Sequence, residues 1–405
     1  MGSNIGFKSS LTAFMAVSFS FIAAPSIAAE TESGFIESTH VIVSRDLQRM
    51  KVYRGGKVIA ESKVSSGKRG HTTPTGIFTI LQKNRRHYSN LYNNAPMPNM
   101  QRLTWSGYAL HGSGHVPNYP ASHGCVRLPK GFASKLFKMT RYGGHVVISG
   151  GEVAPQPLWH SFLPIRQVEE KQIVAAIESD TVTDVPTTPV KEPKSELPLR
   201  IFITRNGIEN LVLETQKLLN ELGWNAGDED GFMGQNTRAA IKRFQLISGL
   251  DQTGAVSKEL LQRLYTVTGR GEIPTGKLYV RQKQRPLFEA PIVIKDAEKP
   301  LGAHLITLSS WEKNGMAARW SSVTLADKIS EREAKRLGVE VSDEGQERVS
   351  VTETLDRIVM PREVRSRLEE LLTPNSSITI SDKGFSRETS RGKGTDFIVL
   401  TNPSI

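Results

Sequence analysis

Residues 184–198, DVPTTPVKEPKSELP, set four prolines among charges and small polar side chains. Proline lacks a backbone N–H and fixes φ, so such a stretch neither continues a helix nor sits inside a sheet. It also has little apolar surface to set against the entropy cost of ordering. With PQP at 155–157 and LPIR at 163–166 upstream, residues 151–206 read as a proline-rich linker, with one helical segment around 166–178. A chain of 405 residues holds two or three ordinary domains, so folded parts are expected on both sides.

The N-terminus is of another kind. Lys8 precedes the apolar run LTAFMAVSFSFIAA, and PSIAAE then supplies small residues. That is the pattern of a secretory signal over residues 1–28, cleaved after Ala28 or, as second choice, Ala29. The run is short for a membrane span, and no later segment is longer or more apolar. The expected location is therefore exported, in the periplasm or cell wall, with no membrane span after signal removal. Losing Lys8 lowers the formal net charge of +11 by one, leaving a basic chain suited to anionic partners such as wall polymers. Export argues against nucleic acid as that partner.

Residues 34–150 alternate in the manner of short strands. HVIVS (40–44) and RMKVYR (49–54) flank a polar turn, and GGKVIAESKVSSG continues the meander. HTTPTGIFTIL (71–81) and GYALHGS (107–113) read as further strands, and HVVIS (145–149) as a buried one. After Pro129, the residues Phe132, Leu136 and Met139 fall at helical spacing. The expectation is a β-rich domain, a mixed β-sandwich with a short helix. Residues 207–268 read instead as three short helices: Leu211, Thr215, Leu218 and Leu222 line one face, Asn236 or Thr237 caps the second helix, and Ser257 caps the third. Residues 269–405 read as an α+β region of unknown role, with strands over 276–295, at SSITISD and at DFIVL, and helices over 326–337 and 361–372.

The chain contains one cysteine, Cys125, within YPASHGCVRLP (119–129). An exported chain tends to pair its cysteines, and a lone thiol cannot be paired within the chain. A free thiol is mostly protonated at neutral pH, so a nucleophilic one needs a neighbouring imidazole, cation or helix N-terminus. His111, His115 and His123 are all near in sequence. Gly124 lets the backbone bend so that successive N–H groups can point at one oxygen, as an oxyanion hole requires. If CVRL is a strand, Cys125 and Arg127 share one face, where the guanidinium could grip a substrate carboxylate, while Val126 and Leu128 pack inward. The same three histidines with Cys125 also make a zinc-type donor set, but GSG and Pro117 keep His111 and His115 off one helical face.

HGSGHVPNYPASHGCVRL resembles the active-site signature of the L,D-transpeptidase family of cell-wall enzymes, and VSSGKRGHTTPTGIFTIL is similar to that family's other recurrent stretch. LETQKLLNELGW, DGFMGQNTRAAIKRFQLISGL and the following TG resemble a three-helix peptidoglycan-binding domain. The resemblance implies that Cys125 is the nucleophile and that His111 is the base, with His115 as the other candidate. Gly124 and Cys125 amides, helped by His123, would hold the oxyanion, and Ser122 and Arg127 would position the turn or the donor carboxylate. It further implies a tetrapeptide stem as donor, an amine of a second stem as acceptor, 3→3 peptidoglycan cross-links, no cofactor and no metal, and a carbapenem as inhibitor. Water as acceptor would make an L,D-carboxypeptidase, and a protein amine would make an anchoring enzyme. A protein that only binds the wall is the alternative from another class.

Overall fold

The computed structural model describes residues 2, 35–90, 93–164, 197–312, 318–340, 349–390 and 394–402. The signal segment apart from Gly2, its cleavage point, and residues 165–196 of the expected linker with its 166–178 helix lie outside the described residues. From Phe35 onward the described residues form one compact unit. None of the described helices is long and apolar enough to cross a membrane.

Two short runs organise the centre. HVIVS and HVVIS are apolar at consecutive rather than alternate positions, as in strands buried on both faces. They form β2 (Thr39–Ser44) and β10 (His145–Ser149), which pair in parallel, His40 opposite His145. Around them lie β3 (Arg49–Arg54), β4 (Lys57–Lys63) and β5 (Thr75–Thr79), and the sheet is completed by β19 (Val399–Asn402), antiparallel to β5.

Each face of this six-stranded sheet packs on a different layer. Val41, Val43, Phe78, Val146 and Ile148 meet a four-stranded sheet of β6 (Gln82–Asn84), β7 (Met100–Arg102), β8 (Ala109–Ser113) and β9 (Val126–Pro129). Helix α1 (Lys130–Met139) adds Ala133 and Leu136 to that core. Ile42, Ile77 and Val147, one residue out of phase, point the other way and meet Phe202, Leu305 and Val323 of a nine-stranded sheet.

The nine-stranded sheet changes the expected domain plan. Its strands are β1 (Phe35–Glu37), β11 (Gln156–Leu158), β12 (Arg200–Arg205), β13 (Gly276–Gln282), β14 (Arg285–Ile294), β15 (Ala303–Glu312), β16 (Ala318–Leu325), β17 (Ile358–Val359) and β18 (Ser377–Ser381). Residues 151–206 are therefore not linker throughout: β11 forms an edge of this sheet, and β12 lies between β18 and β13. The prolines end at Pro198, and the RIFITR that follows buries Ile201 and Ile203 on one face and Phe202 on the other. Residues 269–405 are not a separate region either, because β19 leaves them to join the sheet of β2 and β10.

The helical residues are an insertion between β12 and β13. α2 (Ile208–Glu221), α3 (Gln235–Ile247) and α4 (Lys258–Val267) enclose their own core of Leu218, Leu219, Ile241, Phe244, Leu260 and Leu264. The two connecting strands meet at its base, where the Asn206 N–H donates to the Thr275 carbonyl at 3.1 Å. Ser257 caps α4 by accepting from the Leu260 N–H, as expected. Neither Asn236 nor Thr237 caps α3: the N-cap is Gly234, and Thr237 lies inside, donating to the Ala226 carbonyl at 2.8 Å. α5 (Glu331–Leu337) begins later than the expected 326, because Ser330 and Glu333 close a capping box there. α6 (Val351–Asp356) and α7 (Arg362–Leu371) cover the outer face of the large sheet through Leu355 and Leu368.

Candidate active site

Cys125 immediately precedes β9, and its position follows from how β8 and β9 pair. The two strands run parallel, with Leu110 opposite Val126 and His111 opposite Arg127. Leu110, Val126 and Leu128 point into the core. Ala109, His111, Cys125 and Arg127 therefore share the other face, which opens into a cleft of about 990 Å³. The thiol is packed against Met97, Met100 and Ala109, and its S–H donates to the Gly107 carbonyl at 3.4 Å.

The turn before the cysteine is held by side chains from elsewhere. Ser122 is 1% exposed; its Oγ donates to the Cys125 carbonyl at 2.5 Å and accepts the Gly124 N–H at 3.1 Å. Gly124 has φ +109°, and a Cβ there would stand 2.7 Å from the Tyr108 ring, so glycine is required on both counts. Its amide is engaged by Ser122, so it is not free for an oxyanion, unlike the sequence expectation. The amides of His123 and Cys125 are the others in the turn.

Below the turn lies the VSSGKRGHTTPTG stretch. Thr73 Oγ1 donates to the Gly124 carbonyl at 2.7 Å and accepts the Gly67 N–H at 2.8 Å. The Ser66 carbonyl receives the Ala121 and Ser122 amides at 2.9 and 3.0 Å, and the Ser65 backbone exchanges two hydrogen bonds with Arg127. Gln48, 4% exposed, donates to Ser66 Oγ and accepts the Ser66 N–H, both at 2.8 Å. A Cβ on Gly67 would overlap the His71 carbonyl oxygen. Thr73, Ser66, Gly67 and Gln48 were not singled out from the sequence as site residues. For Thr73, Ser66 and Gly67 the only signal is the family resemblance of their stretch, which does not say what it touches, and Gln48 lies outside that stretch.

The histidines separate by environment. His111 is buried in β8, and its Nδ1 lies 2.9 Å from the Gly112 carbonyl. A carbonyl only accepts, so Nδ1 carries the hydrogen and Nε2 is left with its lone pair. Burial, reinforced by the cationic Arg127 and only partly offset by that hydrogen bond, lowers the His111 pKa to about 4. Burial likewise pushes the Cys125 thiol up, against the N–H of Ala109 and the charges of Arg102 and Arg127. At neutral pH the resting pair is therefore imidazole and thiol. His123 and His115 are exposed at the rim, with His123 edge-on to His71 at 4.9 Å between ring centroids. The His123 pKa is lowered by desolvation and then by the charge of Lys68. His115 and Ser113 bond each other locally, the His115 amide donating to Ser113 Oγ at 3.2 Å.

Arg85, Arg86, Arg102, Arg127 and Lys130 line the cleft, and the described residues that form its wall include neither aspartate nor glutamate. Such a wall attracts anions and holds carboxylates by charge-assisted hydrogen bonds.

Residues 38–148 match the family model described as the L,D-transpeptidase catalytic domain, and residues 209–264 match that of a peptidoglycan binding domain. Similar solved structures include an L,D-transpeptidase from Xylanimonas cellulosilytica DSM 15894, 29% identical over 28% of this chain and 60% of that one, TM-score 0.26. Another is from Stackebrandtia nassauensis, 28% identical over 29% and 57%, TM-score 0.27. A third, from Mycobacterium smegmatis, is 23% identical over 28% and 59%, TM-score 0.26. This chain thus spans less than two thirds of each of those chains. No curated protein matches it.

Proposed function

Starting from a chain that carries an L,D-transpeptidase catalytic domain and a peptidoglycan-binding domain, we propose that it is a cysteine L,D-transpeptidase forming 3→3 cross-links. The observation that carries this reading is the shared face of β8 and β9, from which Cys125 and His111 both line a cationic, acid-free cleft.

The donor is a tetrapeptide stem, whose carboxylates suit Arg127, Arg102 and the rim cations. His111 Nε2 takes the thiol proton as Sγ attacks the carbonyl between the third residue, typically meso-diaminopimelate, and the terminal D-alanine. Because both groups rest neutral, proton transfer accompanies attack, and Arg102 and Arg127 stabilise the sulfur charge as it develops. The Cys125 amide, helped by His123, would hold the oxyanion, and Ser122 and Thr73 hold the turn that carries it. The C–N bond then breaks, D-alanine leaves with the proton from His111, and a thioester remains. The side-chain amine of a second stem attacks that thioester, His111 takes its proton, and the thiol is restored. His111 is the base on this reading, because His115 lies at the exposed rim. The helical insertion would hold the enzyme on the wall.

The test is incubation of the full chain with a purified disaccharide-tetrapeptide and mass spectrometry of the products. A dimer short of one D-alanine is expected, falling by roughly 10⁴-fold or more in Cys125→Ala. A tripeptide monomer would replace the transpeptidase with an L,D-carboxypeptidase. A product unaffected by the substitution would remove Cys125 from the chemistry. A carbapenem should add to Cys125 as a thioester, read as a mass shift absent from Cys125→Ala.

A further inference from the structure

Glu388 lies in α8 (Arg387–Ser390), 283 residues from Trp105, and is 8% exposed. A carboxylate buried to that degree is costly unless hydrogen-bonded. Its Oε2 accepts the backbone N–H of Trp105 at 3.0 Å and that of Ser106 at 3.4 Å. The turn donating these bonds forms part of the cleft wall, with Trp105, Ser106 and Gly107 lining it, and the Gly107 carbonyl is the acceptor for the Cys125 thiol.

Three further hydrogen bonds of the turn are local. Gly107 N–H reaches the Thr104 carbonyl at 3.3 Å, Tyr108 N–H reaches Thr104 Oγ1 at 3.0 Å, and Thr104 Oγ1 lies 3.0 Å from Ser106 Oγ. Trp105 is 42% exposed, with the Arg102 guanidinium 5.7 Å from its ring centroid. Besides the Cys125 thiol on the Gly107 carbonyl, the two bonds to the Glu388 carboxylate tie the turn to a distant part of the chain.

Glu388 is itself fastened. Next to it, Thr389 Oγ1 donates to the Ile398 carbonyl and accepts the Ile398 N–H, both at 2.9 Å. Thr395 Oγ1 donates to the Thr389 carbonyl at 2.9 Å, and Ser386 Oγ donates to the Ile398 carbonyl at 2.8 Å. Ile398 is part of the core behind Cys125. The connection from that core through α8 to the Trp105–Gly107 turn is continuous.

We propose that Glu388 is a positioning residue of the active site: its carboxylate holds the Trp105–Gly107 turn so that the Gly107 carbonyl keeps the Cys125 thiol seated on the cleft face it shares with His111. The C-terminal region thereby serves the catalytic cleft. Turnover as a readout rests on the transpeptidase reading, whereas the seating of the thiol does not.

Cys125 is the only cysteine in the chain, so alkylation by iodoacetamide reports that one site. In the full chain, Glu388→Ala should free the thiol and speed alkylation about fivefold, while kcat for D-alanine release falls about tenfold with KM within about threefold. Glu388→Gln keeps an oxygen for both amides and should bring both readouts back to within about twofold of the original. Alkylation and kcat unchanged in Glu388→Ala would overturn the proposal, as would a Gln variant as impaired as the Ala variant. If thermal melting shows Glu388→Ala unfolded, Glu388→Asp is read in its place, since it withdraws the carboxylate by one methylene. Faster alkylation supports the proposal, and the original rate overturns it. Absence of D-alanine release from the unaltered chain, with the alkylation difference intact, would sink the transpeptidase reading and leave the seating role supported.

Discussion

The helical insertion and the strand at residues 399–402 both lie far from the active-site turn in sequence, yet they stand in opposite relations to it. α2, α3 and α4 bury their apolar faces against one another and touch the rest of the chain mainly at their two adjacent connections. β19 and the two residues before it are buried inside other layers: Ile398 in the core behind Cys125, and Phe397 and Val399 in the core between the six- and nine-stranded sheets. Position along the chain is thus a poor guide to what the catalytic site depends on. A segment in the middle is separable, and one near the end is integral.

The sharpest way to break this contrast is to remove each part in turn. Deleting residues 397–405 strips β5 of one of its two partners and removes Phe397, Ile398 and Val399, which are 4%, 1% and 3% exposed. At ~1.5–3 kcal/mol for each buried side chain, the loss approaches the ~5–15 kcal/mol that holds a typical domain together. The expected outcome is no cooperative melt and no alkylation-protected thiol. Replacing residues 208–273 by a few glycines should instead leave the main melting temperature within a few degrees and turnover of soluble muropeptides unchanged, while sacculus pull-down is lost. Similar damage from both deletions would erase the contrast.

Acid offers a second test. Burial lowers the pKa of His40, His111 and His304 to about 4 and that of His145 well below its usual value, with nearby Arg200 adding to the effect at His40 and His145. All four stand in the sheets, and residues 208–267 contain no histidine. A buried histidine kept neutral stabilises the fold fully above its unfolded pKa near ~6.5. That contribution is lost as pH falls towards 4, because only the unfolded chain takes up the proton. Each such histidine contributes a slope of about 1.4 kcal/mol per pH unit. Calorimetry of the full chain between pH 7 and 4.5 should show the main transition falling steeply and that of the helical insertion nearly flat. Parallel shifts would mean the two are one cooperative unit.

Smaller substitutions sharpen the same division. Thr73→Val removes the bonds to the Gly124 carbonyl and from the Gly67 amide, at about 1–3 kcal/mol for the buried groups left unpaired. Carbapenem acylation, followed by mass, should slow by about tenfold or more. Ser257→Ala removes the cap of α4, costs the insertion about 1 kcal/mol, and should leave acylation untouched.

What the sequence disclosed follows the same line. HVIVS, HVVIS, the facing of Cys125 and Arg127 against Val126 and Leu128, and the Ser257 cap depend on neighbours a few residues away, and each was legible. The proline run masked the return of order at RIFITR, and Asn236 and Thr237 looked like caps only because Gly234 carries no side chain to advertise the role. Thr73 under Gly124 and Glu388 over Trp105 are long-range pairings of ordinary residue types. No periodicity or spacing marks them, so only the folded chain reveals them.

The place of β19 also bears on synthesis. Between β10 and β19, two strands next to β5 and antiparallel to it on either side, the chain makes roughly 250 further residues. At about 5–20 residues per second that interval is roughly 13–50 s. Throughout it the strand carrying Ile77 and Phe78 has an open edge, and the pocket for Ile398 is unfilled. A growing chain therefore cannot close that edge or fill that pocket until residues 398–402 have been made.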